Sequence, residues 1–263
     1  MREQGGDAAI TWLGHATVLL ELGGFRILTD PVLGRHTFLL RRLVARPRSE
    51  TLEHIDAVLV SHAHTDHLDL PSLRRVRSDG PVLAPPAAAR CLQRFHAREV
   101  TAGSSVDLGG VTVDAVPAEH DGRRWPRGPS AEAVGYVVSG EVSVYFAGDT
   151  DLYPEMSALR GRVDVALIPV AGWGPTLGDG HLTPERAAQA VATITPRVAI
   201  PIHWGTLGLP WARHSREERH APLRAFVEAA ARLAPHTDVR VLEPGERTVI
   251  RAPTGVRTPP AHR

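Results

Sequence analysis

The nine residues SHAHTDHLD at 61–69 place three histidines and two aspartates directly behind the apolar run DAVLV at 56–60. In extended chain, side chains at i and i+2 share a face about 6.5 Å apart along the strand, so His62 and His64 can approach one cation from the same side. Asp66 and His67 follow where the chain turns toward a helix, and that turn can swing them to a second cation beside the first. Two-metal hydrolases hold their ions about 3.5–4 Å apart. A helix cap by Asp69 or Ser72 would account for one polar residue here, but three histidines and an aspartate at this spacing exceed what a cap uses. Imidazole and carboxylate donors without thiolate suit zinc first, with manganese or iron next.

Such groups need rigid platforms, and the chain repeats one arrangement. His62 follows DAVLVS, His120 follows VTVDAVPAE, Asp149 follows VSVYFAG and His203 follows RVAIPI, so four apolar strands end in a metal-competent side chain. Strand ends opening into loops are where binding groups collect on α/β scaffolds. Upstream, AITWL, ATVLLEL and FRILTD read as strands with a glycine turn at 23 and 24, and residues 34–50 as an arginine-rich irregular loop. PSLRRVRSDG predicts a helix from Pro71 to Gly80, PVLAP a short strand and PAAARCLQRF a helix. From 104 onward strands return, VDLGGVTVDAVPAEH and AVGYVVSGEVSVYFAGD, followed by the strand VDVALIPV, a helix TPERAAQAVATI with Thr183 as N-cap, and the strand RVAIPI. The amphipathic REERHAPLRAFVEAAARLA predicts a long helix, and DVRVLEPGERTVIR a final strand pair. Mostly antiparallel strands in each half, with helices between and after them, predict two sheets packed face to face under outer helices. Residues 1–251 are read as one domain and 252–263, rich in proline, as a disordered tail.

The motif H-x-H-x-D-H, as His62, His64, Asp66 and His67, with His120, Asp149 and His203 downstream, resembles the metallo-β-lactamase superfamily. TWLGHATVLLEL, TDPV, FAGDTD, GHLTPERAA and IPIHWGT resemble the branch holding the ascorbate-6-phosphate lactonases and the N-acylphosphatidylethanolamine phospholipase D-like hydrolases. The resemblance spans roughly residues 10–245 and implies an α/β (α+β) four-layer αββα sandwich. It also implies two divalent metal ions, one on His62, His64 and His120, the other on Asp66, His67 and His203, with Asp149 bridging them and a shared water or hydroxide as nucleophile. The activity implied is hydrolysis of a phosphodiester, a lactone or a similar small-molecule ester. Catalysis would fall to Asp66, itself a ligand, and to His181, which the branch places along the active site as a substrate contact.

Other residues admit two readings. Asp30 in LTDP is either a carboxylate holding a ligating imidazole by its outer nitrogen or a turn aspartate before proline. His15 in LGHAT either points toward the cleft or packs structurally. Trp173 and Trp204 are candidates for an apolar wall or for core. Arg123, Arg124 and Arg127 either grip an anionic substrate or line a solvated loop. Cys91 is read as a small buried side chain.

Composition narrows the classes. The formal net charge of +1 argues neither for a polyanionic partner nor against one, but no basic stripe and no inserted domain of the kind nucleases use is evident, so a nuclease ranks third. No nucleic-acid partner is expected. A non-catalytic metal-binding or regulatory protein on the same fold is the main alternative, which loss of a ligand would favour, yet all seven positions are filled. One cysteine excludes an intramolecular disulfide. No apolar run reaches the roughly 20 residues of a transmembrane helix, and the opening MREQGGDAAI has no signal-like pattern, so a cytoplasmic location is expected. A homo-oligomer is left open. The basic residues are all arginine, which codon usage explains as well as any function.

Overall fold

The protein is described by a computed structural model over residues 6–124, 130–174, 177–213 and 215–253. In chain order the elements are β1 (Ala8–Gly14), β2 (Thr17–Leu22), β3 (Phe25–Thr29), β4 (His36–Thr37), β5 (Leu40–Arg42), β6 (Ala57–Leu59), α1 (Leu70–Leu73), β7 (Val82–Ala84), α2 (Pro86–Cys91), β8 (Ala97–Glu99), β9 (Ser105–Asp107) and β10 (Thr112–Asp121). They continue with β11 (Glu132–Ser139), β12 (Ser143–Phe146), β13 (Val165–Pro169), α3 (Pro184–Ile194), β14 (Val198–Ile202), β15 (Leu207–Gly208), α4 (Arg216–Leu233), β16 (Asp238–Val239) and β17 (Arg247–Ile250).

Two seven-stranded sheets form the body, in the orders β17-β1-β2-β3-β6-β7-β8 and β16-β14-β13-β12-β11-β10-β9. Period-two alternation explains how the first is covered on both faces. Ile27, Ala57 and Leu59 join the large core that unites the sheets, whereas Leu28, Val58 and Val60 join a second core with Ala88 and Leu92 at α2. On the other side Ala187, Val191 and Ile194 of α3 and Phe226 of α4 extend the large core. The result is the helix–sheet–sheet–helix layering expected.

Several expectations are corrected. The sheets are mixed rather than mostly antiparallel: β3, β6, β7 and β8 run parallel, as do β12, β13, β14 and β16, because connections that cross over a sheet face return the chain in the same direction. The stretch 34–50 is not irregular throughout; β4 and β5 build a small sheet with β15. The helix at 71–80 is only the four residues of α1, since the chain then bends to bridge Ser78 to Ile55. Its N-cap is Asp69, whose side chain accepts from the Ser72 amide. The helix begun at Pro86 stops at Cys91, and β8, not foreseen, follows it. The last two strands are not a pair: Val198 faces Asp238 in one sheet while Ala8 faces Ile250 in the other. Residues 254–263, and with them most of the tail read as disordered, lie outside the described residues. No helix among the described residues is long and apolar enough to cross a membrane.

Candidate metal centre

The donors stand where strands run out. His62 lies just past β6, His203 directly after β14, Asp149 past β12, and His120 near the end of β10. Asp30 and His15 occupy the same kind of place after β3 and β1. Three of these, His15 (φ 55°), Asp30 (φ 31°) and His203 (φ 65°), take left-handed backbone without being glycine. Such strain persists only where surrounding structure imposes it, and it gathers at functional sites. Gly148 shows the same crowding: at φ 62°, a Cβ there would sit 2.6 Å from Cβ of Ser61.

All seven expected ligands come together. Donor atoms of His62, His64 and His120 lie within 4.8 Å of one another, and so do those of Asp66, His67, His203 and His15. Asp149 stands between the groups, its Oδ2 3.0 Å from His67 Nε2 and 3.9 Å from His62 Nε2, its Oδ1 3.2 Å from His203 Nε2.

The outer hydrogen bonds decide which nitrogen each ring presents. Ser61 Oγ donates its single proton to Asp30 Oδ2 (2.6 Å), so toward His62 it must accept, from Nδ1 at 2.9 Å. His203 Nδ1 meets the Ala171 carbonyl at 2.7 Å and His120 Nδ1 that of Gly180 at 2.9 Å; carbonyls only accept, so both nitrogens donate. His67 Nδ1 gives its proton to Asp30 Oδ2 at 2.7 Å. In their neutral forms four imidazoles therefore turn Nε2 lone pairs inward.

Inside, those lone pairs have little to meet. His67 Nε2 faces His203 Nε2 at 3.0 Å, and His120 Nε2 faces His64 Nδ1 at 3.2 Å. Nε2 of His62 and Oδ1 of Asp149 are buried without a hydrogen-bond partner among the described residues. Each unmet buried acceptor costs about 1–3 kcal/mol, so the cluster is a poor device for stability. A divalent cation would satisfy it: nitrogens about 2.0–2.1 Å from a tetrahedral ion lie roughly 3.3 Å apart, close to the two nitrogen pairs observed. The residues thus fit the metal that their types imply.

Electrostatics agree. Burial, with neighbouring imidazoles adding to it, holds His62 well below the usual histidine range, and it lowers His120 to about 4 and His203 to about 3. These rings are neutral donors at physiological pH. Burial also opposes protonation of His67, but Asp149, Asp30 and Asp66 outweigh it and hold its pKa well above the usual value. Without a cation, His67 carries the positive charge that the carboxylates require.

Asp30 is no mere turn aspartate: it braces His67 directly and His62 through Ser61, while its Oδ1 accepts from the Ser61 amide at 2.7 Å. His15 is buried at the cluster, its Nε2 3.1 Å from Asp66 Oδ2 and its ring 3.8 Å from that of His203. His181 is partly exposed, with Nε2 3.4 Å from Asp149 Oδ2. Trp173 is 43% exposed beside the cleft, whereas Trp204 is core, packed 4.9 Å from Trp12. Arg123 is taken by an ion pair with Asp121. Arg124 donates to the carbonyls of Ala63 and Leu68, both at 2.8 Å, and so clamps the metal loop rather than facing the cleft. Arg127 lies outside the described residues. Cys91 is half-buried, with Sγ 3.6 Å from the Ala87 carbonyl. Sequence reasoning missed Ser61, although a hydroxyl next to a ligand histidine is a usable signal. It also missed Phe38 and Leu39, hidden in a stretch read as loop.

Comparison with known proteins bears on this centre. The family model described as "Beta-lactamase superfamily domain" matches residues 25–204. A UPF0173 metal-dependent hydrolase of Methanopyrus kandleri is 34% identical over 90% of this chain and 97% of its own. An uncharacterized protein of Mycobacterium tuberculosis is 31% identical over 95% of this chain and 71% of its own. Among solved structures, Igni18, a metallo hydrolase from Ignicoccus hospitalis, superposes with a TM-score of 0.71 at 23% identity, covering 93% of this chain and 98% of that one.

Proposed function

Because the chain belongs to the metallo-β-lactamase superfamily and its UPF0173 metal-dependent hydrolase family, we propose that it is a dinuclear hydrolase of a phosphodiester, lactone or similar ester of a small molecule. The observation that carries this reading is the convergence of inward-facing nitrogens on Asp149 with buried acceptors left unmet. His62, His64 and His120 would hold one divalent ion, zinc first, and Asp66, His67 and His203 the other, with Asp149 shared. Ions bound there supply Lewis acidity that acidifies an attacking water and polarises a carbonyl or phosphoryl oxygen.

The remaining work falls to the chain's own residues. A cleft of about 500 Å³ opens on the cluster. It is lined by the polar His64, Asp66, Asp149, His181 and His203 and by the apolar Phe38, Leu39, Leu40, Trp173, Leu177 and Leu209. The apolar lining suits an apolar group of the substrate, with its scissile bond at the donors. Burial opposes protonation of His181, but the Asp149 carboxylate outweighs it and raises the pKa to about 9. Partly exposed at the cleft with Nε2 3.4 Å from Asp149 Oδ2, the His181 ring is placed to contact the leaving group of the substrate.

Purified protein loaded with zinc or manganese is to be assayed on matched phosphodiesters and lactones of increasing acyl length. Turnover is expected to vanish on chelation and return with metal, and kcat/KM to rise with chain length. Full turnover by His64→Ala on the best substrate would refute the reading.

A further inference from the structure

A second cavity, about 900 Å³, opens beside the small sheet of β4, β5 and β15. Its polar lining is Arg35, His36, Arg41, Arg42, Arg46 and Arg219, and no carboxylate among the described residues lines it. None of these groups belongs to the metal cluster. Among the described residues none of the five arginines forms an ion pair, whereas Arg26, Arg186 and Arg232 pair with Glu21, Asp151 and Glu185. With a whole-chain net charge of +1, this concentration of unneutralised charge is local.

Exposed arginines alone would be an ordinary solvated surface; two here are not exposed. Arg42 is 8% exposed, with Nη1 donating to the Leu13 carbonyl and Nη2 to that of Val32, while Nε is buried without an acceptor. Arg219, on α4, donates Nη1 to the Gly205 carbonyl and leaves its own buried Nε unmet. Burial, with Arg75 nearby, lowers Arg42 to about 10, as expected for a cation without a counter-charge. Removing a guanidinium from water without an anionic partner is costly.

We propose that this pocket binds a small phosphate-bearing anion of the diphosphate class, which accepts hydrogen bonds from the exposed Arg35, Arg41 and Arg46 while Arg42 and Arg219 behind them supply uncompensated positive charge. Guanidinium forks match phosphate oxygens in pairs, and a concave cavity of this size suits a small ligand rather than a flat polyanionic surface. The inference is independent of the hydrolase reading. The pocket also touches the metal centre through the backbone: Arg42 holds Leu13, two residues before His15, and Arg219 holds Gly205, two residues after His203.

Titration calorimetry of the full chain, stripped of metal by chelator and dialysis, with inorganic pyrophosphate tests this. One saturable site is expected, weakening as salt rises. Affinity should hold within about twofold in His64→Ala/His120→Ala, where the metal centre is broken, and fall about tenfold or more in Arg35→Ala/Arg41→Ala/Arg46→Ala. Those three side chains are exposed, so an unchanged melting temperature confirms that the triple variant folds. A parallel titration with ADP distinguishes a bare diphosphate, bound equally, from a nucleoside diphosphate, bound more tightly; either result supports the proposal. Loss of binding in the double-histidine variant with retention in the arginine variant would overturn it, as would no saturable binding at millimolar pyrophosphate.

Discussion

The two halves of the donor cluster are built differently. Asp66, His67 and His203 are buried, and each is braced from outside: Asp66 by His15, His67 by Asp30, His203 by the Ala171 carbonyl. In the other half His62 is buried and braced by Ser61, and His120 is held by the Gly180 carbonyl but partly exposed; His64, partly exposed at the cleft, has no outer brace among the described residues, its Nδ1 meeting His120 Nε2. Braced rings keep their tautomer and direction with or without an ion, while unbraced rings must be ordered by it. On the proposed two-ion reading the first half would be preorganised for retention, and His64 would mark the side open to exchange.

The largest test of this contrast is His203→Ala, which removes a donor from the braced half. It should lower kcat/KM on the order of a thousandfold, beyond the 10–100-fold typical of losing an outer partner. His64→Ala should instead reduce the metal-to-protein ratio from two to one, read by elemental analysis after dialysis; loss of both ions would show that the halves do not load separately. Asp30→Asn, which loosens His67 and His62 together, is expected to weaken metal retention by about 10–100-fold in chelator competition. His15→Phe should affect the braced half alone.

A smaller effect comes from pH. In the chelated protein, burial leaves His120 near about 4 and His203 near about 3, against about 6.5 in the unfolded chain. Between those values the unfolded chain binds protons that the folded one does not, so stability falls as pH drops from 6.5, by at most about 1.4 kcal/mol per pH unit for each group. His67 and His181, shifted upward, stay protonated in both states through most of that range and add little slope. Thermal melts of chelated protein from pH 7 to 5 should show the decline, and metal loading should flatten it; identical slopes would contradict the neutral-donor assignment. Smallest of all, Trp173→Ala should raise KM a few fold (about 1 kcal/mol) with kcat unchanged, and Arg123→Ala should alter stability by no more than about 0.5 kcal/mol.

Much of the site was legible because its information is local. His62, His64, Asp66 and His67 announce themselves by spacing, and His120, Asp149 and His203 by following apolar strands. Thr183 capped its helix as read from two residues, its side chain accepting from the Arg186 amide. What was illegible depended on remote partners. The role of Asp30 turned on Ser61 and His67, that of Arg124 on two carbonyls some sixty positions earlier. The strand pairing of 238–250 turned on which sheet edge each segment could reach.

By itself, then, the amino-acid order determined the donors, the strands that carry them and the layered class, since side-chain chemistry and period-two alternation are properties of a few neighbouring residues. Only the tertiary structure decided which nitrogens face inward, which carboxylate braces which ring and where uncompensated arginines gather. Those outcomes depend on hydrogen bonds and desolvation between segments that meet only when the two sheets close on each other.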